Sequence, residues 1–234
     1  MKLLAYEHVS GGGFADKSLP VGILSEGFSM LRAIVADFEA AGHSVTTVLD
    51  ARLAALKPPL EASRVVPVAS FRDAERALQK LAEAVDATYI VAPESNQVLQ
   101  SLVAGIERAG VSSLNCRASA VSAVSDKATV LKRVEAMGLA APKTVVVNAS
   151  GDVEEITRAI RGSLSFPLII KPVDGVGCAG LSVVNSEQQV AGAVTKANSE
   201  SANKQFVAQE LIRGVSVSVS LLVADGEVLP VSLN

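Results

Sequence analysis

Between residues 2 and 109 short β-rich runs alternate with longer segments of helical period, the pattern of parallel strands joined by crossover helices. Lys2 to Tyr6 opens it as an apolar strand that Glu7 cuts off. Ile23, Leu24, Phe28, Leu31, Ile34, Val35 and Phe38 recur at threes and fours, which predicts a helix over roughly 22–41 that Gly42 stops. Val45 to Leu49 and Arg64 to Val68 read as strands, Phe71 to Val85 as a helix, and Thr88 to Val91 as a strand ending at Pro93-Glu94. Asn96 to Ala109 closes the unit as a helix. Lys57-Pro58-Pro59 is a turn within it, too short for a linker.

From Ser125 the pattern changes. Ser125 reads as the N-cap of a helix over about 126–137 that ends at Gly138, and Pro142 then breaks the chain. Lys143 to Val147, Leu168 to Lys171 and Leu181 to Val184 read as strands, with a helix over about 152–161 between the first two. A helix near 187–197 leads to Phe206–Leu211 and Val215–Leu222, two strands around Gly214. Asp225-Gly226 sends Val228 to Leu233 back as a hairpin strand. The expectation is an α/β protein: a doubly wound, Rossmann-like parallel-sheet domain over residues 1–115, then an α+β region over 116–234. Asn234 directly follows a hydrophobic strand, which suggests that the chain stops inside a domain.

Composition narrows the function classes. With 234 residues, 49% hydrophobic and 19% charged, and only 17 Gly and 9 Pro, the chain is neither disordered nor collagen-like. Lys plus Arg at 21 against Asp plus Glu at 24 gives a formal charge of -3, and there are six Phe, two Tyr and no Trp. Both facts argue against nucleic acid as a partner, since neither a polyanion-binding surface nor base-stacking platforms are provided for. Cys116 and Cys178 show neither zinc-site spacing nor the density of a disulfide scaffold, so a reduced cytoplasm is the default. No uncharged apolar stretch reaches the roughly 18 residues that a membrane-crossing helix needs.

The most informative segment runs Leu168-Ile169-Ile170-Lys171-Pro172-Val173-Asp174-Gly175-Val176-Gly177-Cys178-Ala179-Gly180-Leu181: a strand, a lysine, a glycine-rich turn and a second strand. Glycines let backbone N–H groups approach an anion closely, and a lysine leaving a strand supplies a compact charge for phosphate oxygens. The turn lacks Gly-Lys-Ser/Thr and returns to a strand, so it is not a P-loop. An ordinary glycine-rich hairpin is the bland alternative. Asp126-Lys127 offers a second lysine in a helix first turn, where free N–H groups attract anions; alone it reads as solvated surface. Gln209-Glu210-Leu211-Ile212-Arg213-Gly214 is the third element, able to offer backbone groups to a nucleobase edge and aliphatic cover to its faces, or else an ordinary turn.

Read in order, these three elements resemble the ATP-grasp superfamily, in which a Rossmann-like domain precedes a helix-borne lysine, a strand lysine before a flexible glycine-rich loop, and an acidic hinge. Glu7-His8-Val9-Ser10-Gly11-Gly12-Gly13, Ala92-Pro93-Glu94, Ser125-Asp126-Lys127 and the run from Gln209 to Asn234 are similar to the tyramine–glutamate ligase group of methanofuran biosynthesis. The resemblance implies that Lys127 and Lys171 hold the α- and β-phosphates of ATP and that Gly175, Gly177 and Gly180 form the loop over them. It implies further that Glu210, Leu211 and Ile212 contact adenine. Where many members place a ribose-binding Glu after the hinge glycine, this chain has Val215-Ser216-Val217-Ser218, so Ser216 is left as a weaker ribose contact. The family's magnesium ligands would lie beyond Asn234, and no metal ligand can be named here.

Glu7, Ser10, Gly11 and Gly12, just after the first strand, read as a substrate loop, and Glu94 has a comparable carboxyl-end placement. Their spacing is not that of a dinucleotide fingerprint. His43 follows a helix-ending glycine and reads as a C-terminal charge partner; Cys116 and Cys178 need no catalytic role. The implied activity is ATP-dependent ligation of a small-molecule carboxylate to an amine through an acyl phosphate, with Lys127 and Lys171 as the catalytic charges and a homodimer as the assembly. Two alternatives stay open: a nucleotide-binding or assembly module without catalysis, and a Rossmann-type NAD-dependent oxidoreductase.

Overall fold

In the computed structural model, which describes residues 1–201 and 203–234, the first strand β1 (Lys2–Glu7) is buried from Leu3 onward. A strand covered on both faces needs continuous apolar sequence instead of alternation, and Leu3-Leu4-Ala5-Tyr6 supplies it. It pairs in parallel with β2 (Ser44–Asp50) and β4 (Ala87–Val91), and β3 (Arg64–Val68) adds to β2, giving the order β3-β2-β1-β4. Successive β1 side chains feed opposite layers. Ala5 meets Leu31, Val35, Val45 and Leu49 beneath α1 (Val21–Ala40), with α2 (Ala51–Ala54) alongside. Leu4 and Tyr6 join Val48, Leu78, Ile90 and Val103 beneath α3 (Phe71–Ala82) and α4 (Val98–Arg108). Helices on both faces of a parallel sheet make this unit doubly wound, as the alternating pattern requires.

Two short helices, α5 (Ala118–Ser125) and α6 (Lys127–Ala136), lead to the second unit. The sequence pattern missed α5, whose small residues ASAVSAVS carry little helical period. The N-cap of α6 is Asp126, not Ser125: its Oδ1 accepts from the Thr129 N–H at 2.6 Å, while Ser125 closes α5.

The second sheet is antiparallel. β5 (Thr144–Asn148), β6 (Leu168–Pro172), β7 (Ser182–Val184) and β8 (Gln205–Glu210) stand in the order β5-β8-β6-β7. On one face Leu168, Ile170, Phe206 and Ala208 pack against Ile156 and Ile160 of α7 (Val153–Arg161) and Val190, Ala193 and Val194 of α8 (Val190–Ser199). The opposite face is thinner, with Val207 and Val173 packing on Ala128 of α6. A separate hairpin of β9 (Val219–Ala224) and β10 (Glu227–Leu233) turns at Asp225-Gly226, both at positive φ, as that dipeptide predicts.

The strand expected over Val215–Leu222 begins only at Val219. Val215-Ser216-Val217-Ser218 has the alternation of a strand, yet β10 reaches back only to Ser218, whose N–H donates to the Asn234 carbonyl at 2.9 Å. Residues 211–217 join no ladder among the described residues and form an irregular connection.

Candidate functional site

Lys171 lies opposite Val207 in the β6–β8 ladder, and Gln209 lies opposite Ile169 on β6 and Thr144 on β5. Side chains alternate across a strand, so Lys171, Gln209 and Thr144 emerge from the same face, the one that α6 partly covers. The Lys171 ammonium donates to Gln209 Oε1 at 2.9 Å, and Gln209 Nε2 donates to Thr144 Oγ1 at 2.8 Å.

Lys127 opens α6 against the same ground. Its main-chain N–H donates to the Val173 carbonyl at 2.9 Å, which docks the helix start on the segment leaving β6. Its Nζ donates to the Gly175 carbonyl at 2.6 Å. Burial lowers the Lys127 pKa, the positive charge of Lys171 lowers it further, and Asp174, Glu94 and Asp126 pull it back up. Lys171 is itself held below the ordinary lysine range by burial, with the Cys178 thiol opposing that shift. Charges far apart in sequence thus act on Lys127: Lys171 from β6, Asp174 from the following loop and Glu94 from beyond β4; the ground between the two lysines is the candidate cleft.

The loop between β6 and β7 is folded by two tight turns, Ala179 N–H to the Val176 carbonyl and Leu181 N–H to the Cys178 carbonyl. One anchor is Asp174, whose Oδ1 accepts from the Ser201 hydroxyl at 2.5 Å. The glycines differ in what they tolerate. Gly177 sits at φ +56° with nothing within 4 Å of where a Cβ would stand, whereas at Gly180, φ +71°, a Cβ would lie 2.7 Å from Pro172 Cγ and 3.2 Å from Ala197 Cα. A Cβ at Gly175 would stand 3.1 Å from the Ala179 carbonyl oxygen.

Glu210 ends β8, its N–H on the Lys143 carbonyl and its Oε1 accepting from the Lys143 N–H at 2.8 Å. The chain then leaves the ladder, so the main-chain groups of Leu211 and Ile212 are free of the sheet, and Ile212 is exposed. Glu210 lies three residues along β8 from Val207, the partner of Lys171, a span of about 10 Å. Ser216 is exposed in the irregular connection.

The first loop departs from the expectation. Glu7 and Ser10, read from sequence as facing a substrate, are 1% and 0% exposed and satisfy each other: the Glu7 carboxylate accepts from the Val9 N–H, the Ser10 N–H and the Ser10 hydroxyl at 2.7–2.9 Å. Gly11 and Gly12 are buried as well, against Tyr6 and Val68. A chain leaving a covered strand must satisfy its own polar groups, and Glu7 does so here. Arg52 completes the scaffold. Its guanidinium grips the Asp50 carboxylate at 2.7–2.9 Å and donates to the Phe14 and Lys17 carbonyls at 2.8 Å. His43 lies 3.4 Å from the N-terminal amine. Gln209, Thr144 and Asp174, which organise the cleft, were not assigned from sequence; only the position of Gln209 immediately before the hinge glutamate offered a signal.

Among the described residues no group of three or more His, Cys, Asp or Glu could hold a metal ion. Among the described residues no helix is long and apolar enough to cross a membrane.

A doubly wound parallel unit followed by an antiparallel sheet, with two lysines at a glycine-rich loop, defines the class. The model of the pre-ATP-grasp 3 domain matches residues 43–121 and that of the ATP-grasp domain residues 124–234. The chain belongs to the ATP-grasp superfamily. It is 26% identical, over 99% of its length, to a tyramine–L-glutamate ligase of Methanocaldococcus fervens, of which it spans 65%. It is 30% identical to a D-alanine–D-alanine ligase of Chlorobium luteolum over 50% of this chain and 33% of that one. The fold is shared with the VanG D-Ala:D-Ser ligase of Enterococcus faecalis, with a TM-score of 0.68, 17% identity, and coverage of 99% of this chain and 68% of that one.

Proposed function

We propose that the protein acts as an ATP-dependent carboxylate–amine ligase, with the Lys127–Lys171 cleft as its nucleotide site. The observation that carries this reading is that two half-buried lysines meet the glycine-rich segment, Lys127 bonding the Gly175 carbonyl and Lys171 emerging from the sheet face that α6 partly covers, with the Lys171 charge lowering the Lys127 pKa. Like charges held together in a partly desolvated cleft are costly unless an anion is meant to lie between them. In this assignment Lys127 and Lys171 counter the α- and β-phosphates, and the loop bearing Gly175, Gly177 and Gly180 covers them. Glu210, Leu211 and Ile212 bound the adenine, and Ser216 stands near the ribose.

Glu94, exposed after β4 and within electrostatic reach of Lys127, is assigned to the carboxylate or amine substrate, while the buried Glu7, Ser10, Gly11 and Gly12 order the loop after β1. ATP supplies the activated phosphoryl group. A substrate carboxylate oxygen bonds to the γ-phosphorus as the bond to ADP breaks; the amine nitrogen then bonds to the acyl carbon and inorganic phosphate leaves. The residues contribute orientation and charge neutralisation, the main sources of rate in such transfers. No step is assigned to magnesium. Glutamate and tyramine, named for the Methanocaldococcus relative, are the first substrates to test, and residues 1–115 and 116–234 are the working domain division.

Calorimetric titration with ADP and, separately, NADH tests the nucleotide assignment. ADP binding that Lys171→Ala weakens about 10- to 100-fold, the range for a hydrogen bond to a charged group, is the expected result. Unchanged ADP affinity in the variant, or binding of NADH alone, overturns it.

A further inference from the structure

We propose that Gln209 is a positioning residue: held by Thr144, its side-chain carbonyl orients the Lys171 ammonium within the anion cleft. The inference rests on the nucleotide reading above and assigns that site a component which the family resemblance does not supply. The direction of the chain of hydrogen bonds decides which end of the amide faces the lysine. The Thr144 hydroxyl donates to the Pro142 carbonyl at 2.7 Å, so its lone pairs are left to accept the Gln209 Nε2–H. That leaves Oε1 for the Lys171 ammonium, which can only donate.

The relay starts at a main-chain carbonyl, crosses three strands on one face, and ends on a charge. Gln209 is 7% exposed and bonded at both ends of its amide, so it cannot swing away without leaving buried polar atoms unpaired. Its neutrality matters. A carboxylate at this position would form an ion pair with Lys171 and compete with a phosphate for the same charge, whereas an amide carbonyl takes one ammonium proton and leaves the others for a ligand. Lys127 borders the same cleft but bonds the loop carbonyls, so this constraint belongs to Lys171 alone.

A double-mutant cycle on ADP affinity tests the assignment, using Gln209→Leu and Thr144→Val, each alone and combined with Lys171→Ala, with thermal unfolding as the check on folding. Near-isosteric Gln209→Leu is expected to weaken ADP binding about 5-fold, and Thr144→Val about 2-fold, as lost neutral partners of a working group. In the Lys171→Ala background neither should change ADP affinity further, because the group they act through is gone. A merely structural role would weaken binding by the same factor in both backgrounds, and that additivity overturns the proposal while leaving the nucleotide site intact. If Lys171→Ala itself leaves ADP affinity unchanged, the nucleotide reading and the relay fall together. Should Gln209→Leu not fold, the Thr144→Val arm draws the same distinction.

Discussion

Two alanine substitutions in one loop should behave very differently. Gly177 and Gly180 both have positive φ, so an alanine at either meets the left-handed penalty of about 1–2 kcal/mol. At Gly177 that is the whole cost, since the space beyond its Cα is empty to 4 Å. At Gly180 the added methyl would stand 2.7 Å from Pro172 Cγ, 3.0 Å from Pro172 Cδ and 3.2 Å from Ala197 Cα. None of these is the end of a flexible side chain: one is a ring on β6 and the other the backbone of α8. Overpacking of this kind adds about 1–3 kcal/mol, which brings Gly180→Ala to roughly 2–5 kcal/mol. For a chain of this size that lowers the melting temperature by very roughly 4–20 °C, against about 2–8 °C for Gly177→Ala. If the loop relieves the strain by detaching from Pro172, the deficit appears as faster proteolytic cleavage between 174 and 181 and weaker ADP binding. Thermal unfolding, limited proteolysis and calorimetry on both variants separate these outcomes. Indistinguishable behaviour of the two in all three measurements would show that the loop is not seated as described.

The first loop offers two further tests. His8 is 6% exposed among Tyr6, Phe14 and Phe71, its Nδ1 unpartnered, and burial pulls its pKa from 6.5 down to about 4. The unfolded chain takes up this proton first, so the stability linked to His8 is intact above pH 6.5 and is lost as pH falls towards 4, by about 3 kcal/mol in all. Urea denaturation of His8→Leu should lose that share of the acid-side slope; equal slopes in the variant and the parent would refute the burial argument. Glu7→Ala should cost about 3–5 kcal/mol, because the Val9 and Ser10 N–H groups are left buried without acceptors. A shift in chemical denaturation below about 1 kcal/mol would mean that the loop has another source of order.

The first unit was largely legible because its signals are local and redundant. Ile23 to Phe38 carry a helical period and Leu3 to Tyr6 an unbroken apolar run; the burial of Leu31, Val35 and Leu3 to Tyr6 follows from those patterns, while Ile23 at the helix start stays exposed. The two lysines and the glycine turn stood out by residue type and by their order, which resembles that of the ATP-grasp superfamily. Three features did not. Helix α5 has too little amphipathic contrast to register, the alternation of Val215–Ser218 reads as strand although β9 begins at Val219, and the charge of Glu7 does not reveal its burial. The Thr144–Gln209–Lys171 relay joins residues up to 65 positions apart through cross-strand register, which only the folded sheet displays.

The pair of ammonium groups is mounted on unequal supports. One is bonded through an amide on an inner strand of the antiparallel sheet; the other bonds the carbonyls of the segment that follows β6. A ligand drawn to both charges would therefore meet one set by strand register and one tied to the backbone that follows β6.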